Sequence, residues 1–284
     1  MNMPKSIFAP DPNPVKPGYT PPADACDGHC HVFGPAARFS YAPNRSYTPE
    51  DAGRERLAAL HKHLGLSRAI IVQASCHGTY NSAMLDALAH SKGAWRGVAM
   101  VKPDESEKEL GRLHAGGVRG ARINFVAHLG GAPDMAAVSA VIKRITPLGW
   151  HLQLHLVAHD IRQYRSFLDG LKIPFIIDHM GRPEAKLGVK QDAFLQMLDL
   201  MKNPLAWTKV SGPERISSTG QMSSAIRPVC TAPLAKDSEP SMVSSAARLV
   251  FTPAMANDCS ASRRSAMARA RVGACAMTLA SIGS

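Results

Sequence analysis

The chain lacks long apolar runs. No stretch approaches the ~18 apolar residues that a membrane span requires. The N-terminal MNMPKSIFAPDPNPVKPGYTPP has no continuous apolar core. The sequence therefore predicts neither signal peptide nor membrane anchor, and a cytoplasmic location. Cysteine is scarce and unpatterned. Cys26, Cys30, Cys76, Cys230, Cys259 and Cys275 include no CxxC pair, which points to free thiols rather than a disulfide framework. Acidic residues are outnumbered, 22 against 33 Lys and Arg, for a formal net charge of +11. Such a balance favours anionic partners. Yet no block of Lys and Arg and no basic stripe interleaved with aromatics is present, which argues against nucleic acid. Small acidic metabolites are the partners left. Oligomeric state is not legible.

What the chain does have is alternation. Its 284 residues are 45% hydrophobic, enough for a core of the size found in single β/α barrels, which typically run ~250 residues. Strands are expected at 26–33, 68–74, 97–101, 120–126, 151–156, 175–179 and 207–210. Helices are expected between them at 51–64, 79–92, 105–116, 134–147, 160–170 and 191–202. Near-continuous apolar strands such as AIIVQA and PFIID fit a parallel sheet covered on both faces. Pro49-Glu50-Asp51 is expected to open the first helix, and Gly116-Gly117 to end the third. Seven βα periods are legible, without the last helix and strand. The expected organisation is an extended N-terminal arm at 1–22, a barrel at 23–220 and a tail at 221–284. That tail is rich in Ser, Ala and Arg, and 247–252 is its one strand candidate. Its composition resembles a GC-rich gene read out of frame.

Function in such a barrel collects at the C-terminal strand ends. The first strand ends Asp27-Gly28-His29-Cys30-His31. Strict alternation would put Asp27, His29 and His31 on one face and Cys26 and Cys30 on the other. Two imidazoles so placed bind a metal ion, polarise an oxygen, or simply pack with satisfied hydrogen bonds. Ser75 and His77 after the second strand read as loop groups that contact substrate or cap a helix, rather than as a nucleophile pair. Arg122 and Asn124 share a face of the fourth strand, where an arginine either clamps a carboxylate or forms a structural ion pair. His128 follows. Gln153 and His155 share a face of the fifth strand, and Asp178-His179-Met180-Gly181-Arg182-Pro183 ends the sixth.

Taken in order, the DxHxH strand, the ASCHGT turn at Ala74–Thr79, the RINF strand and the DHMGRP turn resemble the amidohydrolase superfamily. The resemblance is closest to its 2-pyrone-4,6-dicarboxylate lactonase branch. It spans roughly residues 17–219, including YTPP and the PERI loop at Pro213–Ile216. It implies a (β/α)8 TIM barrel of amidohydrolase type, here incomplete after strand seven. It also implies a hydrolase of aromatic-compound catabolism that opens a small carboxylated lactone by water attack on the ring carbonyl. His29, His31 and His179 would surround the reacting oxygen. Tyr47, Ser75, Thr79, Arg122, His128, His155 and Arg215 would hold a dicarboxylate. His128 stands where the branch carries an arginine, and His155 where it carries a tyrosine. The branch implies no cofactor. The wider superfamily implies one divalent ion such as zinc or manganese on His29, His31 and His179. A metal-dependent amidohydrolase or a decarboxylase on the same barrel are the alternatives. The family's aspartate at the end of strand eight, the base for water, has no counterpart. Asp237 and Asp258 are the only aspartates beyond residue 220, so a catalytically dead product is a further alternative.

Overall fold

The computed structural model describes residues 5–7, 9–129, 131–212, 216 and 249–251. Two short strands, β1 (Lys5–Ile7) and β3 (Tyr47–Pro49), pair in parallel. The remaining strands form one eight-stranded parallel sheet. They are β2 (Cys26–Cys30), β4 (Arg68–Val72), β5 (Trp95–Ala99), β6 (Val118–Asn124), β7 (His151–His155), β8 (Phe175–Ile177), β9 (Ala206–Val210) and β10 (Leu249–Phe251), hydrogen-bonded in chain order. Six helices make the crossovers: α1 (Arg54–Leu64), α2 (Ser82–His90), α3 (Glu107–Ala115), α4 (Met135–Ile145), α5 (Ile161–Gly170) and α6 (Asp192–Leu200). The strand candidate at 247–252 supplies β10, whose Leu249–Phe251 lies opposite Thr208–Val210 of β9. Among the described residues β10 does not pair with β2, so the sheet is a nearly closed, incomplete barrel.

The elements form where local chemistry and burial agree. Helix α3 is capped by Ser106, whose hydroxyl accepts from the Glu109 amide at 3.1 Å. Glu107 and Glu109 stand at its positive end, and Arg112 and His114 at its negative end. Helix α4 is capped by Asp134 and buries Val138, Val141 and Ile145, one face at helical spacing. Between helices and sheet lie Ile71, Leu113, Trp150, Leu152, Leu154 and Phe175, all fully buried. No helix among the described residues is long and apolar enough to cross a membrane.

Three local expectations need correction. The first helix starts at Arg54 rather than beside Pro49, because Ala52 is held extended by an antiparallel bridge to Phe33. The sixth barrel strand ends at Ile177, not His179. There the backbone enters the left-handed region at His179, Met180, Gly181 and Arg182, with φ between 53° and 66°. Finally, β2 does not alternate strictly. Its register against β4 shifts between Asp27 and Cys30, and a bulge of this kind re-aims side chains. Asp27 and Cys30 therefore turn together toward His61 of α1, with Asp27 Oδ2 3.0 Å from His61 Nε2, while His29 and His31 face the barrel interior.

Candidate active site

Parallel register builds the inner wall. Gly120, Arg122 and Asn124 of β6 lie opposite His151, Gln153 and His155 of β7, and partners in register share a face. Gly120 is required there by close approach: a Cβ on it would lie 2.5 Å from a carbon of the His151 ring. Above this layer the imidazoles gather. Ring centroids are 5.0 Å apart for His29 and His31, and 4.8 Å for His29 and His179. The cluster continues through His155, 5.9 Å from His179, to exposed His128, 6.0 Å from His155.

A charged network lies beneath the rings. Asp178 is fully buried and accepts from Gln153 Nε2 at 3.0 Å. Lys209, also fully buried, donates to Gln153 Oε1 at 2.8 Å and lies 3.1 Å from His29 Nδ1. It stands 3.5 Å from Asp178 Oδ1, and Arg122 stands 3.6 Å from Asp178 Oδ2. Burial would raise the Asp178 carboxyl, but the Lys209 and Arg122 charges hold it well below the usual carboxylate range. Asp178 is thus an ionised anchor and a poor proton acceptor. One carboxylate against two cations leaves this buried cluster net positive, as a pocket for an anion requires.

Two of the histidines, His29 and His155, are kept neutral. Burial, then Lys209, pushes His29 well below its ordinary range. Burial, then Arg122, pushes His155 down to about 3. The rings of the cluster are oriented through Nδ1: His31 by the Val72 carbonyl at 2.8 Å, His155 by Arg122 at 3.0 Å and His179 by the Ser211 hydroxyl at 2.7 Å. The Nε2 atoms of His29 and His155 are buried without a hydrogen-bond partner. Buried polar groups left in this way are expensive unless a ligand completes them.

Tyr47 and Ser75 lie together, with 3.4 Å between their oxygens. Burial is the main reason the Tyr47 phenol is pushed up to about 12, so it is a donor at neutral pH; the Arg122 charge acts on it in the opposite sense. Ser75 does not face His77, whose Nδ1 meets the Ser40 carbonyl at 2.8 Å and whose Nε2 accepts from the Gly34 amide at 3.3 Å. Half-buried Thr79 is tied in through its carbonyl, which accepts from Asn81 Nδ2 at 3.0 Å. Arg215 lies outside the described residues. Lys209 and Asp178 were not singled out from sequence as site residues. The available signal was a lysine at the penultimate position of a strand, AWTKV, whose alternation points it inward.

Among the described residues, two buried groups carry metal-ligand types: Asp27 with Cys30 and His61, and His29 with Asp178 and His179. In each, the ligand atoms lie within 4.8 Å of one another. In the second group the donor types suit a divalent ion, and Lys209 Nζ lies 3.1 Å from His29 Nδ1 and 3.5 Å from Asp178 Oδ1. The donor set fits such an ion, which would compete with the Lys209 ammonium for His29 and Asp178.

Known proteins resemble the chain over about 70% of its length. A 2-pyrone-4,6-dicarboxylate hydrolase of Comamonas testosteroni is 46% identical over 209 residues, covering 73% of this chain and 68% of its own. A 4-sulfomuconolactone hydrolase of Hydrogenophaga intermedia is 34% identical, covering 72% of this chain and 67% of its own. A solved structure from Acinetobacter baumannii, assigned as a 2-pyrone-4,6-dicarboxylic acid hydrolase and holding citric acid, superposes with a TM-score of 0.61. It is 26% identical and covers 69% of this chain and 73% of its own. The amidohydrolase family model matches residues 26–249, from the first strand of the barrel to the first residue of the last. The histidines at the ends of parallel strands thus stand in the frame of known hydrolases, and the chain belongs to the amidohydrolase family.

Proposed function

We propose that this barrel binds a small lactone carrying two carboxylates, of the 2-pyrone-4,6-dicarboxylate type, and opens it by water attack on the ring carbonyl. The observation that carries the reading is the joining of a histidine cluster to a net-positive buried base, in a chain 46% identical to a 2-pyrone-4,6-dicarboxylate hydrolase. His29, His31 and His179 surround the carbonyl oxygen as negative charge develops on it, and those imidazoles that turn an N–H toward it in a dry site stabilise such charge. Arg122 clamps one carboxylate, with Tyr47, Ser75, Thr79, His128 and His155 beside it and Arg215 as the second clamp. The water oxygen bonds to the ring carbonyl carbon, the bond to the ring oxygen breaks, and that oxygen leaves protonated. The reading needs no metal. One divalent ion on His29, His31 and His179 is its alternative, and activity abolished by chelation and restored by zinc or manganese would favour that alternative. A cytoplasmic setting is part of the proposal, supported by the buried free thiols Cys30 and Cys76.

A second reading rests on a specific observation. The proton of the attacking water needs an acceptor, and a positioned base contributes typically ~10²–10⁴-fold. Asp178 is unsuited, and the segment TPAMAN after β10 holds no acid. In this second reading the chain binds the lactone but turns it over slowly. The experiment is to express the full chain beside a version whose sequence from residue 221 onward is replaced by the alternative reading frame of the gene. Both are assayed by the loss of pyrone absorbance, and binding is measured by calorimetry. Comparable binding with turnover at least about 10²-fold slower in the present chain is the expected result. Equal turnover discards the second reading, and failure of both versions to bind pyrone dicarboxylate discards the first.

A further inference from the structure

The lactone-opening chemistry assigns no work to Lys209, although placing an ammonium in a barrel core is costly unless it is paired and hydrogen-bonded. Its surroundings say what it does. Nζ lies 2.8 Å from Gln153 Oε1, 3.1 Å from His29 Nδ1 and 3.5 Å from Asp178 Oδ1. The Gln153 amide cannot be reversed, because its NH2 group is committed to Asp178 Oδ2 at 3.0 Å. Its oxygen therefore faces Lys209. Two acceptors within hydrogen-bond distance and the nearby Asp178 carboxylate thus surround a nitrogen that carries three hydrogens when charged. Asp178 does not compete for His29: Oδ1 lies 3.5 Å from Nδ1 but makes no hydrogen bond of acceptable geometry.

We infer that Lys209 is a positioning residue, which donates to Nδ1 of His29 and so holds that imidazole as the tautomer with its hydrogen on Nε2. A neutral imidazole that accepts at Nδ1 has no other place for its proton. The buried Nε2 of His29, which has no partner, is then an N–H donor directed at a ligand. Arg122 does the same for His155 through Nδ1 at 3.0 Å, leaving a second buried Nε2 as donor. His31 is wired in the opposite sense. A carbonyl, Val72 O, sits 2.8 Å from its Nδ1, so Nδ1 carries a hydrogen, and in the neutral ring Nε2 carries a lone pair. Ligating histidines are ordinarily held by an acceptor at the other nitrogen. By this logic His31 is wired as a ligand would be, and His29 and His155 are wired as hydrogen-bond donors. The three rings, similar in sequence context, are made chemically unequal by what touches their far nitrogens.

The competing arrangement moves one proton: His29 carries its hydrogen on Nδ1 and gives it to an uncharged Lys209 amine. The fully buried Asp178 and the Gln153 oxygen both select the ammonium instead. The use of the Nε2–H toward a reacting oxygen rests on the lactone-opening reading, but the tautomer does not, and it is measured without substrate.

The experiment is nitrogen NMR on the uniformly 15N-labelled full chain at neutral pH. His29 is assigned by difference from His29→Gln, and Lys209 from its own side-chain signal. A pyridine-type Nδ1 and pyrrole-type Nε2 at His29, with an ammonium-type Nζ at Lys209, is the expected result. A pyrrole-type Nδ1 with an amine-type Nζ overturns the inference, and the wild-type spectrum alone decides this. In Lys209→Met, if folded, the His29 hydrogen is expected to move to Nδ1, where Asp178 and Gln153 offer oxygen acceptors. A folded variant that keeps the wild-type tautomer shows that Lys209 does not set it, and equally overturns the inference.

Discussion

Arg122 is held by two competing demands. It donates to His155 Nδ1 at 3.0 Å and stands 3.6 Å from Asp178, yet its Nε is buried without a partner. A guanidinium half engaged by protein has donors left for a carboxylate. Hydrogen bonds to charged groups are worth about 1.5–3 kcal/mol, so Arg122→Met is expected to weaken pyrone dicarboxylate binding roughly tenfold or more. Calorimetry on the folded variant checks this, and unchanged affinity contradicts the clamp. The histidines make a separate, substrate-free prediction. His155 titrates at about 3 and His151 at about 4 in the fold, against about 6.5 in an unfolded chain. The unfolded state therefore binds more protons as pH falls through 6.5. Stability is fully present above that pH and is lost progressively toward 3, by up to about 1.4 kcal/mol per pH unit for each histidine. Urea midpoints measured from pH 7 to pH 4 are expected to fall, and less steeply in His155→Gln.

At the scale of elements, the turn after β8 has the most exacting geometry. Four successive residues, His179 to Arg182, hold positive φ. For residues other than glycine that conformation costs roughly 1–2 kcal/mol each, a strain that surrounding structure must hold in place. Gly181 is fixed twice over. Its φ is 66°, and a Cβ would lie 2.9–3.1 Å from the Ala158 Cβ and backbone. Gly181→Ala is expected to cost more than the conformational term alone, and to disturb the bond from His179 to Ser211. A fall in Tm together with a changed His179 nitrogen signal checks both. Ser106 offers a contrast far from the site: Ser106→Ala loses one cap on α3, about 1 kcal/mol, with substrate binding untouched.

The elements themselves were largely legible. Alternating apolar strands and amphipathic helices place all six crossover helices within about three residues of where they form. Departures occur where a backbone contact outranks local pattern. Ala52 pairs with Phe33 and delays α1, and the left-handed turn cuts the sixth barrel strand short. The bulge in β2 separates Asp27 from His29 and His31, which no period-two rule can foresee.

For the whole molecule, the open sheet is the dominant physical fact. Among the described residues the outer edges of β10 and β2 have no strand partner, and unpaired edges are templates for association. Concentration-dependent self-association, read by light scattering, is the expected behaviour of the full chain. A monodisperse monomer across a hundredfold concentration range contradicts it.

The sequence by itself determined the alternation of elements and the residue types at the strand ends, because burial of apolar faces and the chemistry of imidazole and guanidinium are properties of local pattern. It also determined that the segment TPAMAN directly after the last strand holds no acid. Only the tertiary structure decided which groups touch. Lys209 lies 180 residues from His29 along the chain and 3.1 Å from it in space, and Gln153 meets Asp178 across neighbouring strands. Which nitrogen of a histidine carries the proton is set by such partners. They are brought together by barrel curvature and strand register, which depend on the whole sheet rather than on any one stretch of residues.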